Sequence, residues 1–207
     1  STAEAATVLD ASGHIVCPGF IDVHIHSENT LLGGRDQMAG IRQGVTTQLL
    51  APDGFGWAGI SAEEAKPLWQ YTQFAYGDPL RPIDWPTIES YLDLFPGRSP
   101  ANVYPQVPHC AVRVKAMGWA ARPATPDEMK IMAAETRAWM EAGAGCLCLG
   151  LDYQPSANAS FDELVALCKI TREYDGIYAA HLRYQILGRP DAWQEIINLH
   201  KASGIPV

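Results

Sequence analysis

Strand-like and helix-like segments alternate along this chain, and no other feature constrains its fold as much. "GFIDVHI" (19–25) and "GVTTQLLA" (44–51) are rich in apolar and β-branched residues and flank "GRDQMAGIRQ" (34–43), which reads as a short helix. "NVYPQVPH" (102–109) reads as a third strand, followed by "CAVRVKAMG" as a loop. "TPDEMKIMAAETRAWMEAG" (125–143) is the clearest helix: Thr125 can cap it, Pro126 and Asp127 suit its first turn, and Gly143 ends it. "GCLCLGL" (145–151) is a fourth strand. The helix "SFDELVALCKITREYD" (160–175) follows, opened by a capping-box pair, Ser160 and Glu163. "GIYAAHL" (176–182) is a fifth strand, "DAWQEIINLHKAS" (191–203) a helix, and "GIPV" the start of a sixth strand.

Such alternation implies an α/β protein with a parallel sheet and helices outside it. Continuous apolar runs suit parallel strands buried on both faces. No strand is followed by a glycine-rich phosphate loop, because "GFGWAG" has neither the spacing nor the flanks. An open doubly wound sheet and a closed (β/α)8 barrel both fit this string, although the missing phosphate loop weakens a nucleotide fold, and the barrel needs ~250 residues. The 207 residues here therefore predict about the first six strands of one. Residues 1–18 read as the end of an N-terminal β segment and lead-in, with a short strand and turn, and 19–207 as the partial barrel. Because a core strand without ladder partners is rare at a domain's end, the chain reads as a piece of a larger one. An aromatic and proline-rich insertion at about 54–101 interrupts the rhythm, either as a packed subdomain or as a lid facing the substrate.

Composition removes some function classes. Lys and Arg total 15 against 23 Asp and Glu, a formal charge of −8, and basic runs are missing, which argues against nucleic-acid binding. No apolar stretch approaches the ~20 residues that cross a bilayer. "STAEAATVLD" lacks the form of a signal peptide. Five cysteines, Cys17, Cys110, Cys146, Cys148 and Cys168, fit neither a zinc-finger nor a disulfide spacing, which points to a reducing, cytoplasmic setting.

Within this frame "HIH" stands out. His24 and His26 lie two apart, so on a strand they share one face and can converge on a point in the barrel mouth. Imidazole nitrogens bind zinc at ~2.0–2.1 Å, although core histidines give the same pattern. His181 ends the fifth strand and points to the same mouth, or else donates to a backbone carbonyl. Asp53 ends the second strand, where it can bind one metal, bridge two, or simply form an Asp-Gly turn. His109 can line the pocket, bind substrate or orient a ligand. Tyr153 and Arg183, near strand ends, are further pocket candidates, and Glu28 and Asp152 can support the ligands. His14 lies in a turn and His200 on an outer helix. Cys146 and Cys148 read as packing residues.

"VLDASGHIVCPGFIDVHIHSE" resembles the first-strand signature of the amidohydrolase superfamily. "GVTTQLLAPDG", "NVYPQVPHCAVRVKAMG", "EAGAGCLCLGLDYQPSANASFDELVAL" and "GIYAAHLR" are similar, in order, to its D-aminoacylase (N-acyl-D-amino-acid deacylase) branch. The resemblance implies a (β/α)8 barrel, one or two divalent metal ions such as zinc, and hydrolysis of an N-acyl amino acid-like small molecule. His24, His26 and His181 match family metal ligands. Asp53 falls where the branch usually has a cysteine, and a carboxylate is the harder ligand. The general acid/base aspartate of the family is expected beyond Val207. Two alternatives remain: a cyclic-amide or other C–N hydrolase of the same superfamily, or a barrel scaffold without catalysis. A partial barrel exposes strand edges, so the expected partners are the remainder of its own chain or further copies in a homo-oligomer.

Overall fold

The computed structural model describes residues 5–33, 38–183 and 191–207. In chain order its elements are β1 (Phe20–Asp22), α1 (Glu28–Leu32), α2 (Met38–Arg42), β2 (Val45–Leu49), α3 (Ala62–Tyr76), α4 (Ile88–Leu92), β3 (Asn102–Tyr104) and β4 (Val107–Pro108). There follow α5 (His109–Met117), α6 (Pro126–Glu141), β5 (Cys146–Gly150), α7 (Phe161–Glu173), β6 (Ile177–His181) and α8 (Ala192–Ser203). Short 3-10 turns occupy Pro52–Gly54 and Ser156–Asn158.

Among the described residues all the strand pairs are parallel, in two three-stranded sheets with the orders β1-β2-β3 and β4-β5-β6. The segment "NVYPQVPH" accounts for the division. Pro105 lacks an N–H for the ladder, and the chain changes partner there. Before it, Tyr104 pairs with Leu49 of β2; after it, Val107 pairs with Leu147 of β5. Gln106 bridges the break by donating its side-chain amide to the Leu50 carbonyl at 2.8 Å. The predicted third strand is thus one path bent at a proline. The predicted sixth strand is not formed as a strand, but the Tyr178 N–H donates to the Pro206 carbonyl at 2.8 Å and Ile205 is fully buried beside β6.

Helix α6 keeps its predicted cap: Thr125 accepts the Glu128 N–H while the Glu128 carboxylate accepts from Thr125 N–H. At α7 only half of the predicted box forms. Ser160 Oγ accepts the Glu163 N–H at 3.2 Å, but the Glu163 carboxylate turns inward to Arg113. Three further expectations are corrected. The loop "CAVRVKAMG" is helix α5, whose valines pack inward, so burial outweighs the low helix propensity of β-branched residues. Strand β1 is only three residues long, so His24 and His26 lie past its end rather than on it. Among the described residues before the motif the expected strand does not form: Val8, Leu9, Ile15 and Val16 are each more than four-fifths exposed, and a turn closes at Ala11–His14. The predicted helix at 34–43 is described from Met38 only, where α2 begins.

The insertion is mostly packed. Ser61 and Glu64 form a capping box on α3, and that helix buries Ala65, Leu68, Trp69 and Tyr76. Trp57 and Trp69 lie with ring centroids 4.3 Å apart, both almost fully buried. Burying several large rings contributes about 1.5–3 kcal/mol each, which anchors the segment to the parallel layer.

Candidate metal centre

The strand ends bring four of the predicted residues together. His24 and His26 follow β1, and their rings stand edge to face with centroids 5.4 Å apart. Asp53 sits in the 3-10 turn after β2. Its Oδ2 lies 3.5 Å from His26 Nε2 and 3.8 Å from His24 Nε2. Its Oδ1 lies 3.9 Å from Nδ1 of His181, the last residue of β6. Potential ligand atoms of His24, His26 and Asp53 all lie within 4.8 Å of one another.

The local backbone explains how Asp53 reaches this point. Ala51 and Asp53 both adopt left-handed conformations, with φ of 60° and 56°. These are uncommon for residues other than glycine, and strain of this kind concentrates at functional sites. Glu28, at the start of α1, holds the turn: its Oε1 accepts the Ala51 N–H at 2.5 Å. Burial pushes the Glu28 carboxyl up to about 7, against the opposing hydrogen bond from Ala51. Ser27 Oγ donates to Gln48 Oε1 at 2.7 Å, tying the same loop to β2.

His181 has a second carboxylate neighbour, Asp152, whose Oδ2 lies 3.2 Å from His181 Nε2. The ring of Tyr153 lies 4.9 Å from the imidazole. Burial first, and then the charges of Asp53 and Asp152, raise the Tyr153 hydroxyl above its usual pKa. Cys148 is buried next to this group, and burial pushes its thiol well above the ordinary value, so it is held as a neutral thiol. The cleft bounded by His24, Asp53, Cys148, Tyr178 and His181 has a volume of about 600 Å³.

A divalent ion fits the donor set. The buried Asp53 Oδ1 and His26 Nδ1 lack hydrogen-bond partners among the described residues, and a buried carboxylate oxygen without a donor is costly unless something satisfies it. Two imidazoles and a carboxylate with a third imidazole opposite form a nitrogen–oxygen set suited to zinc and its neighbours.

Two predicted pocket residues lie elsewhere. His109 does not line the cleft; it is the first residue of α5 and fully buried. Its Nδ1 pairs with Ser156 Oγ at 2.8 Å and its Nε2 with Glu163 Oε1 at 3.0 Å. The Arg113 guanidinium donates to both Glu163 oxygens, at 2.6 and 2.5 Å. Arg183 is likewise committed, donating to Glu195 Oε2 and to the carbonyls of Ala157 and Ala159. Glu28 was only a supporting candidate in the sequence. Its brace on Ala51 has no local signal beyond a carboxylate two residues after the histidine pair.

Parallel strands here gather imidazoles and a carboxylate past their carboxyl ends, an arrangement similar to that of the amidohydrolases. Within that kind, the chain resembles the D-aminoacylase branch along its whole length. It is 32% identical to the D-aminoacylase of Alcaligenes xylosoxydans xylosoxydans, over 100% of this chain and 42% of that protein. A solved D-aminoacylase, studied for its binuclear metal centre, matches with a TM-score of 0.77 at 29% identity, covering 92% of this chain and 39% of that one. The N-acyl-D-glutamate deacylase of Bordetella bronchiseptica, solved with zinc and a phosphonate inhibitor, gives a TM-score of 0.73 at 28% identity, covering 95% and 40%. No family model matches the chain. The chain spans about two-fifths of the length of these relatives. Among the described residues, no helix is long and apolar enough to cross a membrane.

Proposed function

We propose that the protein hydrolyses the amide bond of an N-acyl-D-amino acid, or a related carboxylate-bearing amide, on a (β/α)8 barrel to which this chain contributes the first strands. One or two divalent ions, zinc foremost, are held by His24, His26, Asp53 and His181. The observation that carries the reading is the placement of Asp53, with one oxygen toward His24 and His26 and the other toward His181. Bound zinc supplies a lowered pKa for water, from ~15.7 toward ~7, and polarisation of a carbonyl.

The chain's own residues set the geometry for that chemistry. Asp53 offers a carboxylate oxygen to each side of the centre and offsets positive charge there. Asp152 fixes the orientation and proton position of the His181 ring, as carboxylate partners of ligating histidines do. The Tyr153 ring packs at a tilt against the same imidazole, with centroids 4.9 Å apart. The five free thiols suit a reducing compartment such as the cytoplasm.

The test is an assay of the zinc-loaded protein on N-acetyl-D-amino acids, hydantoins and dihydropyrimidines, beside the H24A/H26A variant. Turnover of the linear amides that disappears with the metal in the variant supports the reading. Turnover of the cyclic amides alone moves the substrate to the other branch of the superfamily. Absence of bound metal, with biological function indifferent to the two substitutions, overturns it in favour of a scaffold.

A further inference from the structure

We infer that Arg183 is a positioning residue for His181: it locks the turn that carries Asp152 onto the end of β6, so that Asp152 keeps its contact with the His181 ring. This rests on the reading of His181 as a ligand of the metal centre.

Arg183 comes two residues after His181 and is buried. Each of its three side-chain nitrogens is engaged. Nε donates to Glu195 Oε2 of α8 at 2.9 Å, while Nη1 and Nη2 donate to the carbonyls of Ala157 and Ala159, at 3.0 Å each. These carbonyls lie in and just after the 3-10 turn Ser156–Asn158, which is too short to supply all its own backbone partners. A planar guanidinium can serve two carbonyls and a carboxylate together, whereas an ammonium offers its donors from a single point.

The segment held in this way is the one that touches His181. At its start, the Leu151 N–H donates to the His181 carbonyl at 2.9 Å. Asp152 follows, with Oδ2 3.2 Å from His181 Nε2, and the other ring nitrogen faces Asp53 Oδ1 across 3.9 Å. In the middle, Ser156 Oγ pairs with His109 Nδ1 at 2.8 Å, which anchors the segment to α5. Arg183 ties its far end back to the strand that carries His181. The contacts thus form a closed circuit: from His181 to Asp152, along the turn to Ala157 and Ala159, and through Arg183 to β6 again. A carboxylate orients a ligating imidazole only while it stays within reach, and the Arg183 fork keeps it there.

The experiment is a double-mutant cycle on the zinc affinity of the whole protein. Chelator competition is run on the parent, Arg183→Lys, Asp152→Ala and the double variant. Each single variant should bind about tenfold more weakly or worse. The double variant should lose little beyond the weaker of the two, because without Asp152 there is no contact for Arg183 to hold. Losses that multiply in the double variant, or parental affinity in Arg183→Lys, would overturn the inference. Proton NMR of Co²⁺-loaded samples reads the contact itself. The His181 Nε2–H should give a shifted, slowly exchanging signal in the parent and exchange faster in Arg183→Lys; an unchanged exchange rate would also overturn the inference. If the melting temperature of metal-free Arg183→Lys shows that it does not fold, Glu195→Gln replaces it in the cycle, with the same pattern and a smaller loss expected. A His181→Ala variant that binds zinc as tightly as the parent would remove the reading of the centre, and the role of Arg183 with it.

Discussion

The Glu28 carboxylate accepts the N–H of Ala51 at 2.5 Å, and this bond joins the loop that carries His24 and His26 to the turn that carries Asp53. Twenty-three residues separate the partners in sequence, and the accepted N–H belongs to a left-handed residue. The bond therefore fixes the distance between two parts of the centre. Glu28→Ala should weaken metal affinity about 10–100-fold, as losses behind a ligand usually do. Glu28→Gln keeps an acceptor at the same place and should retain most of the affinity. Competition of each purified variant with a chelator of known zinc affinity measures this directly. Equal affinity in the alanine variant and the parent would show that the turn holds itself.

A second prediction concerns Asp53, the proposed ligand that stands where the resemblance to the branch implies a cysteine. Asp53→Cys should still bind metal, but with a preference moved toward softer ions, because a thiolate replaces a hard carboxylate. Loaded with Co²⁺, the variant should gain the near-ultraviolet charge-transfer absorption of a thiolate ligand, which the parent should lack. Asp53→Asn leaves one neutral oxygen where two anionic ones stood, and its metal content by elemental analysis should fall. Identical Co²⁺ spectra for Asp53→Cys and the parent would place residue 53 outside the coordination sphere.

Much of this arrangement was legible before the structure. Apolar runs located β2, β5 and β6, and capping residues located α6 and α7, because those signals are local. His24, His26, Asp53 and His181 lie together past the strand ends, a gathering that the resemblance to the branch implied and no local signal did. What the sequence concealed depended on distant partners. "CAVRVKAMG" read as a loop, yet buried contacts make it α5. Glu163 carried a capping pattern, but Arg113, fifty residues away, takes its carboxylate. His109 looked like a pocket residue at a strand end. Only the fold shows Ser156 and Glu163 closing over it.

That buried group makes a third prediction. Burial opposes ionisation of Glu163, but the bonds and charges of His109 and Arg113 outweigh it and leave the carboxyl below its ordinary 4.5. Its stabilisation is thus full above about pH 4.5 and is lost as pH falls through the lower folded value. Burial also holds His109 below 6.5, so the unfolded imidazole takes up its proton first, and stability declines as pH drops beneath that value. Both groups act in one direction, and denaturant midpoints should fall steadily from neutral pH into the acid range. Arg113→Ala leaves Glu163 buried without its guanidinium partner and should cost about 3–5 kcal/mol by chemical denaturation at neutral pH. A loss under about 1 kcal/mol would mean that the pair is hydrated.

Asp53-Gly54 is a turn pair as well as part of the centre, and the glycine is what permits both. Gly54 has φ +70°, and a Cβ there would lie 2.5 Å from the Cys148 carbonyl oxygen and 2.9 Å from Leu149 Cα. Both are backbone atoms of β5, so neither can rotate away, and the positive φ adds its own strain. Gly54→Ala must push the turn off the strand, carrying Asp53 away from His26. Stability should fall by about 1–3 kcal/mol. Metal affinity should fall further than in a variant of equal instability made far from the centre. Melting temperature and chelator competition on the same samples separate the two effects. Affinity that tracks stability alone would show that the turn can shift without displacing the Asp53 carboxylate.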